Sequence, residues 1–187
     1  MKRIKTIETV GQADKTVLIK GWVNVRRNMG KIAFLDIRDR WGILQVVAVP
    51  AELDEDSQKI LNNIRPEFVL SIEGIVQKRG EKQINKDLAT GTVEVLAKKI
   101  EILSEAETPP FEIDNEERQA GEDLRLKHRY LDLRHERMKN NIVARDNVIM
   151  FFREWLHKND FVEIQTPILS KSTPEGARDY LVPSRLH

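Results

Sequence analysis

Phe34 stands among charges in KIAFLDIRDR (31–40). The uniformly apolar phase of that stretch is Ala33, Leu35 and Ile37, which leaves Ile32, Phe34, Asp36 and Arg38 on the opposite face. A ring on a charged face is an informative kind of exposed apolar residue, because nucleobases stack on such rings for roughly 1–3 kcal/mol each. The same phase argument turns other polar groups outward. Gln45 leaves a Leu44–Val46–Ala48 face, Gln77 and Arg79 leave a Phe68–Leu70–Ile72–Val76 face, and Glu94 leaves a Val93–Val95–Ala97 face. Arg26 and Arg27 close the run before Phe34. Arginine clamps phosphates, while Gln and Glu offer donor and acceptor patterns that can distinguish unpaired bases. Singly, each position also reads as a solvated strand residue, and Phe34 as a ring covering a barrel end or packed under a loop. Together on one face they favour single-stranded nucleic acid.

These side chains need a sheet to hold them. VLIKGWVNVRR (17–27) sets Val17, Ile19, Val23 and Val25 against Leu18, Lys20, Trp22, Asn24 and Arg26. KIAFLDIRDR follows a turn at Asn28–Met29–Gly30, and WGILQVVAVP ends at Pro50. Period-two alternation bounded by Gly and Pro argues consecutive antiparallel strands. AELDEDSQKILNNIR (51–65) places acids before Leu53, Ile60, Leu61 and Ile64, which suits one short amphipathic helix with an acidic first turn. Strand signals resume in EFVLSIEGIVQKR (67–79) and TVEVLAKKIEIL (92–103). Three strands, a helix and two strands is the order of an OB-fold, a five-stranded barrel that binds oligonucleotides on one face.

Composition is consistent with this. The 187 residues carry a net charge of only +1, but residues 1–50 hold ten Lys/Arg against four Asp/Glu. That leaves room for a polyanion on one face. There is no cysteine, so neither a disulfide framework nor a thiolate metal site is available. MKRIKTIETV has no apolar core of a signal peptide, and no apolar run approaches the ~20 residues of a membrane span. A soluble cytoplasmic protein is expected, with no membrane partner and no metal site.

The second part is more helical. An acidic stretch stiffened by Pro109–Pro110 follows the last strand. The division expected is a barrel over 1–104, a linker or hinge over 105–137, and a second domain starting at 138. EDLRLKHRYLDLRHER (122–137) reads as a helical connector. In MKNNIVARDNVIMFFREWLHKND (138–160), Ile142, Arg145, Ile149, Phe152 and Leu156 form a stripe widened by Val148, Phe151 and Trp155. So wide an apolar face needs a sizeable neighbour. DFVEIQTPIL supplies a short strand stopped by Pro167.

GWVNVRRNMGKIAFLDIRDRWGILQVV, taken with KHRYLDLRHERMKNN and DFVEIQTPILSKSTPEGARDYLVPSR, resembles the aspartyl-tRNA synthetases of bacterial type. STPEGARDYLVPSR is the most specific stretch; the related lysine and asparagine enzymes share the barrel and RYLDL. The resemblance implies an OB-fold followed by the truncated start of a class II antiparallel catalytic domain. It implies that the barrel reads the anticodon of the aspartate tRNA. Phe34 would be the stacking ring, Gln45 and Glu94 base-edge readers, and Arg27, Arg79 and Asn85 loop contacts. Val25, Gln77 and Gln83 depart from the family pattern, so phosphate contacts at 25 and 77 are in doubt, while Gln83 offers an amide on a longer arm. Met29 and Lys82 sit where discrimination between aspartate and asparagine tRNA is decided; Met29 leans towards strict specificity.

Helix 138–158 and the strand to Pro167 resemble the first class II motif, which implies a homodimer interface at Pro167. STPEGARDYL resembles the loop that closes over the amino acid, with Glu175 meeting the ammonium of L-aspartate. The family activates aspartate with ATP and Mg²⁺ through aspartyl-adenylate. Its ATP-binding motifs lie downstream of His187, so no catalytic residue, bound ATP or Mg²⁺ and no aminoacylation is expected of these residues alone. The rivals are a non-catalytic OB-fold binding protein and a fragment of a lysyl or asparaginyl enzyme.

Overall fold

Apolar alternation closes into a barrel in the first of two compact units, Met1–Pro110 and Phe111–His187. The structure, a computed structural model, describes residues 1–113, 120–171 and 182–185. The strands are β1 (Thr16–Met29), β2 (Ile32–Asp39), β3 (Gly42–Ala48), β4 (Val69–Lys78) and β5 (Val93–Ser104), with α1 (Glu55–Leu61) between β3 and β4. The closed order is β1-β2-β3-β5-β4. Every neighbouring pair is antiparallel except β3 and β5, which run parallel through Val46↔Val95 and Val47↔Leu96. This is the five-stranded OB-fold expected from the element order.

The inward phase is the core. Val17, Ile19, Val23, Ala33, Leu35, Ile37, Leu44, Val46, Leu70, Ile72, Val76 and Val95 are all buried in one cluster. Fully burying such side chains is worth about 1.5–3 kcal/mol each. Where β4 crosses β5, a side chain at Gly74 would set its Cβ 2.4 Å from the Leu96 carbonyl oxygen, so only glycine permits that approach.

The first strand breaks its own alternation. Val23 pairs with Ile37 but Val25 with Asp36, so β1 carries one extra residue there. Such a bulge reverses the phase beyond it. Val25, expected inside, is 40% exposed, whereas Arg26 lies opposite the buried Leu35.

Residues 51–65 form less helix than expected. A 3₁₀ turn, Pro50–Glu52, precedes α1. The helix begins where it does because the Asp54 carboxylate accepts from the Ser57 N–H at 2.8 Å, an N-cap bond. The buried Ser57 hydroxyl then accepts from Ile100 N–H at 2.7 Å and donates to the Ile100 carbonyl at 3.1 Å, tying α1 to β5.

Asp39 ties the N-terminus to the β2–β3 turn. Its side chain, 1% exposed, accepts from Thr6 N–H at 2.9 Å and the Thr6 hydroxyl at 2.7 Å. It also accepts from Trp41 N–H at 2.8 Å and Gly42 N–H at 3.2 Å.

In the second unit the connector is helical in two pieces, α2 (Glu122–Lys127) and α3 (Arg129–Asp132). Asp132, buried, takes Arg129 Nη1 and lies 3.7 Å from Arg125 Nη1. α4 (Glu136–Lys158) follows, and none of its residues is buried. The strand expected in DFVEIQTPIL is not formed: residues 161–171 have no ladder partner among the described residues. A strand exists only through its neighbours. No helix among the described residues is long and apolar enough to cross a membrane.

Candidate nucleic-acid interface

The outer phase of β2 and β3 gathers most of the residues singled out by type. Arg27 faces Phe34 across β1 and β2, and Asp36 faces Gln45 across β2 and β3. The parallel β3–β5 register sets Gln45 beside Glu94, and Glu94 faces Gln77 on β4. Side chains from all five strands therefore share one surface because of the barrel order, although Gln45 and Glu94 lie 49 positions apart.

A continuous polar relay crosses this surface. Arg27 Nη2 donates to both Asp36 carboxylate oxygens at 2.9 and 3.0 Å, and reaches Gln45 Oε1 at 3.3 Å. Gln45 Nε2 donates to Glu94 Oε2 at 2.9 Å. Arg79 Nε lies 3.5 Å from the same Glu94 oxygen. The Gln45 amide is thereby held in one orientation, with one N–H and one lone pair left over, enough for two bonds to a base edge. Phe34 is half-buried beside it, so one part of the ring is packed and the rest can take a base.

Burial pushes the Asp36 carboxyl above its usual range, and the charges of Arg27 and Arg79 offset only part of that. Arg27 keeps its two bonds to this carboxylate while its own side chain is half exposed. A phosphate can compete for that guanidinium.

Two of the expected arginines differ from the sequence picture. Arg26 does not join this face: the bulge turns it over, and its Nη1 donates to the Ile64 and Asn62 carbonyls at 2.7 and 3.1 Å. It serves the chain after α1. Arg79 adjoins the face but its side chain is only 5% exposed, and its Nε and Nη2 are buried without a hydrogen-bond partner. Its guanidinium instead lies beside Glu94.

Loops frame the surface. Met29, 69% exposed, lies at the β1–β2 turn beside Gly30. Lys82, Gln83 and Asn85 are exposed in the β4–β5 loop. That loop closes tightly on itself: Asn85 N–H donates to the Gly91 carbonyl at 3.2 Å, and a Cβ on Gly91 would fall 1.8 Å from the Asn85 carbonyl oxygen. At its end the Thr90 hydroxyl donates to the Ile43 carbonyl, which ties the loop to the β2–β3 end of the barrel.

Asp39 and Asp36 had no assigned role in the sequence reading. The first is part of RDRWG, where an Asp three residues before a Gly–strand start signals a side-chain-capped turn; the second had no local signal.

In the second unit, α4 exposes Ile142, Val148, Phe151, Phe152 and Trp155, with Phe151 at 63%. Pro167 is exposed too. Glu175 lies outside the described residues. No group of three or more His, Asp or Glu that could hold a metal ion occurs among the described residues.

Comparison with known proteins points the same way for both units. Residues 17–103 match the family described as OB-fold nucleic acid binding domain, and residues 121–187 match tRNA synthetases class II (D, K and N). The chain is 52% identical over 94% of its length to an aspartate–tRNA(Asp/Asn) ligase of Halothermothrix orenii. It is 50% identical over 92% of its length to an aspartate–tRNA ligase of Bacillus licheniformis. It spans 30% and 29% of those two proteins. Among solved structures, an aspartyl-tRNA synthetase from Entamoeba histolytica superposes with a TM-score of 0.80 at 26% identity, covering 94% of this chain and 41% of that one. An asparaginyl-tRNA synthetase from Pyrococcus horikoshii, complexed with asparaginyl-adenylate, gives 0.75 at 28% identity, with 90% and 37% covered.

Proposed function

We infer that this chain, a homologue of the aspartate–tRNA ligases, reads the anticodon of an aspartate tRNA on behalf of an enzyme that joins L-aspartate to that tRNA. The observation that carries this is the outer barrel face, where Phe34, Arg27, Gln45 and Glu94 stand together with the Gln45 amide held from both sides. Phe34 stacks an unpaired base, Gln45 and Glu94 bond to base edges, and Arg27 leaves Asp36 for a phosphate. Arg79 holds Glu94 in place. Asn85 and Gln83 add contacts from the loop.

Met29 and Lys82 flank the bases and weigh aspartate against asparagine tRNA. The two similar ligases differ on this point in name, one being an aspartate–tRNA(Asp/Asn) ligase and the other an aspartate–tRNA ligase. In the whole enzyme Glu175 orients the ammonium of aspartate, ATP supplies the adenylate with Mg²⁺ on its phosphates, and a homodimer forms around Pro167 and α4. The broad exposed apolar surface of α4 supports such packing. The setting is the cytoplasm. Purified on its own, the 187-residue chain is expected to give no aspartate-dependent ATP–pyrophosphate exchange.

The test is binding to the aspartate anticodon stem-loop against one with a scrambled anticodon. Phe34→Ala is expected to weaken the matched stem-loop by about 1–3 kcal/mol and to erase most of the preference while the barrel stays folded. Equal affinity of the parent chain for both stem-loops would overturn the reading and leave a sequence-indifferent RNA binder.

A further inference from the structure

The base-reading face leaves the most basic corner of the barrel unexplained. Lys2, Arg3 and Lys5 wall an open groove of about 680 Å³ together with Glu8, Gln12 and Trp41. Arg40, exposed, neighbours Trp41 in the β2–β3 turn. Three cations thus line the groove with one exposed acid. Trp41 is 44% exposed, and the Lys5 ammonium stands 4.7 Å over its ring.

The groove is built rather than frayed. Ile4 N–H donates to the Leu18 carbonyl at 2.9 Å, and Arg3 lies beside Leu18 in a parallel bridge. Asp39 holds the other side, through Thr6 and Trp41 N–H, and sits 3.8 Å from Arg3 Nη2. The cations are therefore presented on a fixed backbone, which lowers the ordering cost of binding. Glu8 engages Lys5, its Oε1 3.8 Å from Nζ, but Lys2 and Arg40 have no carboxylate partner among the described residues. Surface ion pairs of this kind are weak and yield readily to a phosphate.

Position favours RNA over another polyanion. The β4–β5 loop carrying Lys82, Gln83 and Asn85 is bonded to Ile43, at the same end of the barrel as Trp41. The loop and the groove thus share one end of the barrel. We propose that the groove of Lys2, Arg3, Lys5 and Trp41 is a second tRNA contact, taking the ribose–phosphate backbone outside the nucleotides that the β2–β3 face reads. It rests on the reading of the chain as a tRNA binder, and it adds affinity without base selection, since phosphate contacts carry no sequence information.

The experiment uses the whole chain and a full-length aspartate tRNA transcript, titrated between about 50 and 200 mM salt. Lys2→Ala with Lys5→Ala removes two exposed cations and no core contact. The double variant is expected to bind about ten-fold more weakly at low salt, with a salt slope shallower by about 1–2. Its preference for the matched over the scrambled anticodon stays unchanged. Bound tRNA should also protect Lys2 and Lys5 from acetylation in the parent chain. Unchanged affinity and slope in a folded double variant, or no protection of either lysine, would overturn the proposal; the groove would then suit a different anion such as an acidic polypeptide. Failure of the anticodon reading shows separately, as loss of the preference in the parent chain, and leaves the slope and protection results to judge the groove.

Discussion

The barrel and the long helix contain similar apolar residues and treat them in opposite ways. In the barrel Leu35, Ile37, Leu44 and Val46 have no exposed surface. On α4, Phe151, Phe152 and Trp155 keep more than half of theirs. The barrel closes on itself, so each inward side chain finds neighbours within Met1–Pro110. A single helix has no inside, and its stripe acquires one only against another element. Closure makes the first region self-sufficient, whereas α4 leaves its apolar side chains exposed.

The sharpest way to break this contrast is to truncate one residue of each kind. Leu35→Ala is expected to cost the barrel about 2–5 kcal/mol in urea unfolding, whereas Phe152→Ala should change the chain's stability by about 0.5 kcal/mol or less. Equal costs would mean that α4 is covered after all. Next comes the polar anchor. Asp39→Ala strands the Thr6, Trp41 and Gly42 donors at once, and is expected to cost about 2–3 kcal/mol while freeing the N-terminal stretch, visible as faster amide exchange at Thr6.

A smaller effect separates the barrel's helix from its strands. Asp54→Ala removes the cap of α1 for about 1 kcal/mol. The bond to Ser57 lowers the Asp54 pKa, so its contribution is complete above the unfolded carboxylate pKa near ~3.9 and is lost as pH falls through the lower folded value. The difference between parent and variant should therefore vanish only in strong acid.

Asp36 should behave in the opposite sense and give the smallest change. Its folded pKa is raised, chiefly by burial, so ionisation opposes folding above that pKa and the penalty is relieved as pH falls through it. Asp36→Asn is expected to raise stability slightly at neutral pH, with the gain fading in acid, followed by thermal unfolding across pH. A loss of stability at neutral pH would show that the Arg27 pair outweighs the burial of the carboxylate.

Much of this is legible in the sequence. The alternation around Phe34 assigned Ala33, Leu35 and Ile37 to the core and Phe34 and Gln45 to the other face, because period two is a local property of a strand. The order of elements was enough for the fold. Less legible were the places where one residue depends on a distant one. The extra residue in β1 turns Val25 outward and Arg26 towards Ile64, and alternation cannot announce its own interruption. DFVEIQTPIL has the composition of a strand, but pairing lies with a neighbour.

What the sequence determined by itself is therefore the periodicity, the turns and the kinds of chemistry on offer: a ring, amides and arginines among strands. Only the tertiary structure decided which of them meet. Gln45 acquires its fixed orientation from Arg27 and Glu94, 18 and 49 positions away. Asp39 acquires its role from Thr6, 33 positions away. Arg79 becomes a buried neighbour of Glu94 rather than an exposed clamp. Local preferences act within a few residues, whereas barrel closure brings distant side chains to hydrogen-bond range, and that closure made a set of polar residues into a surface.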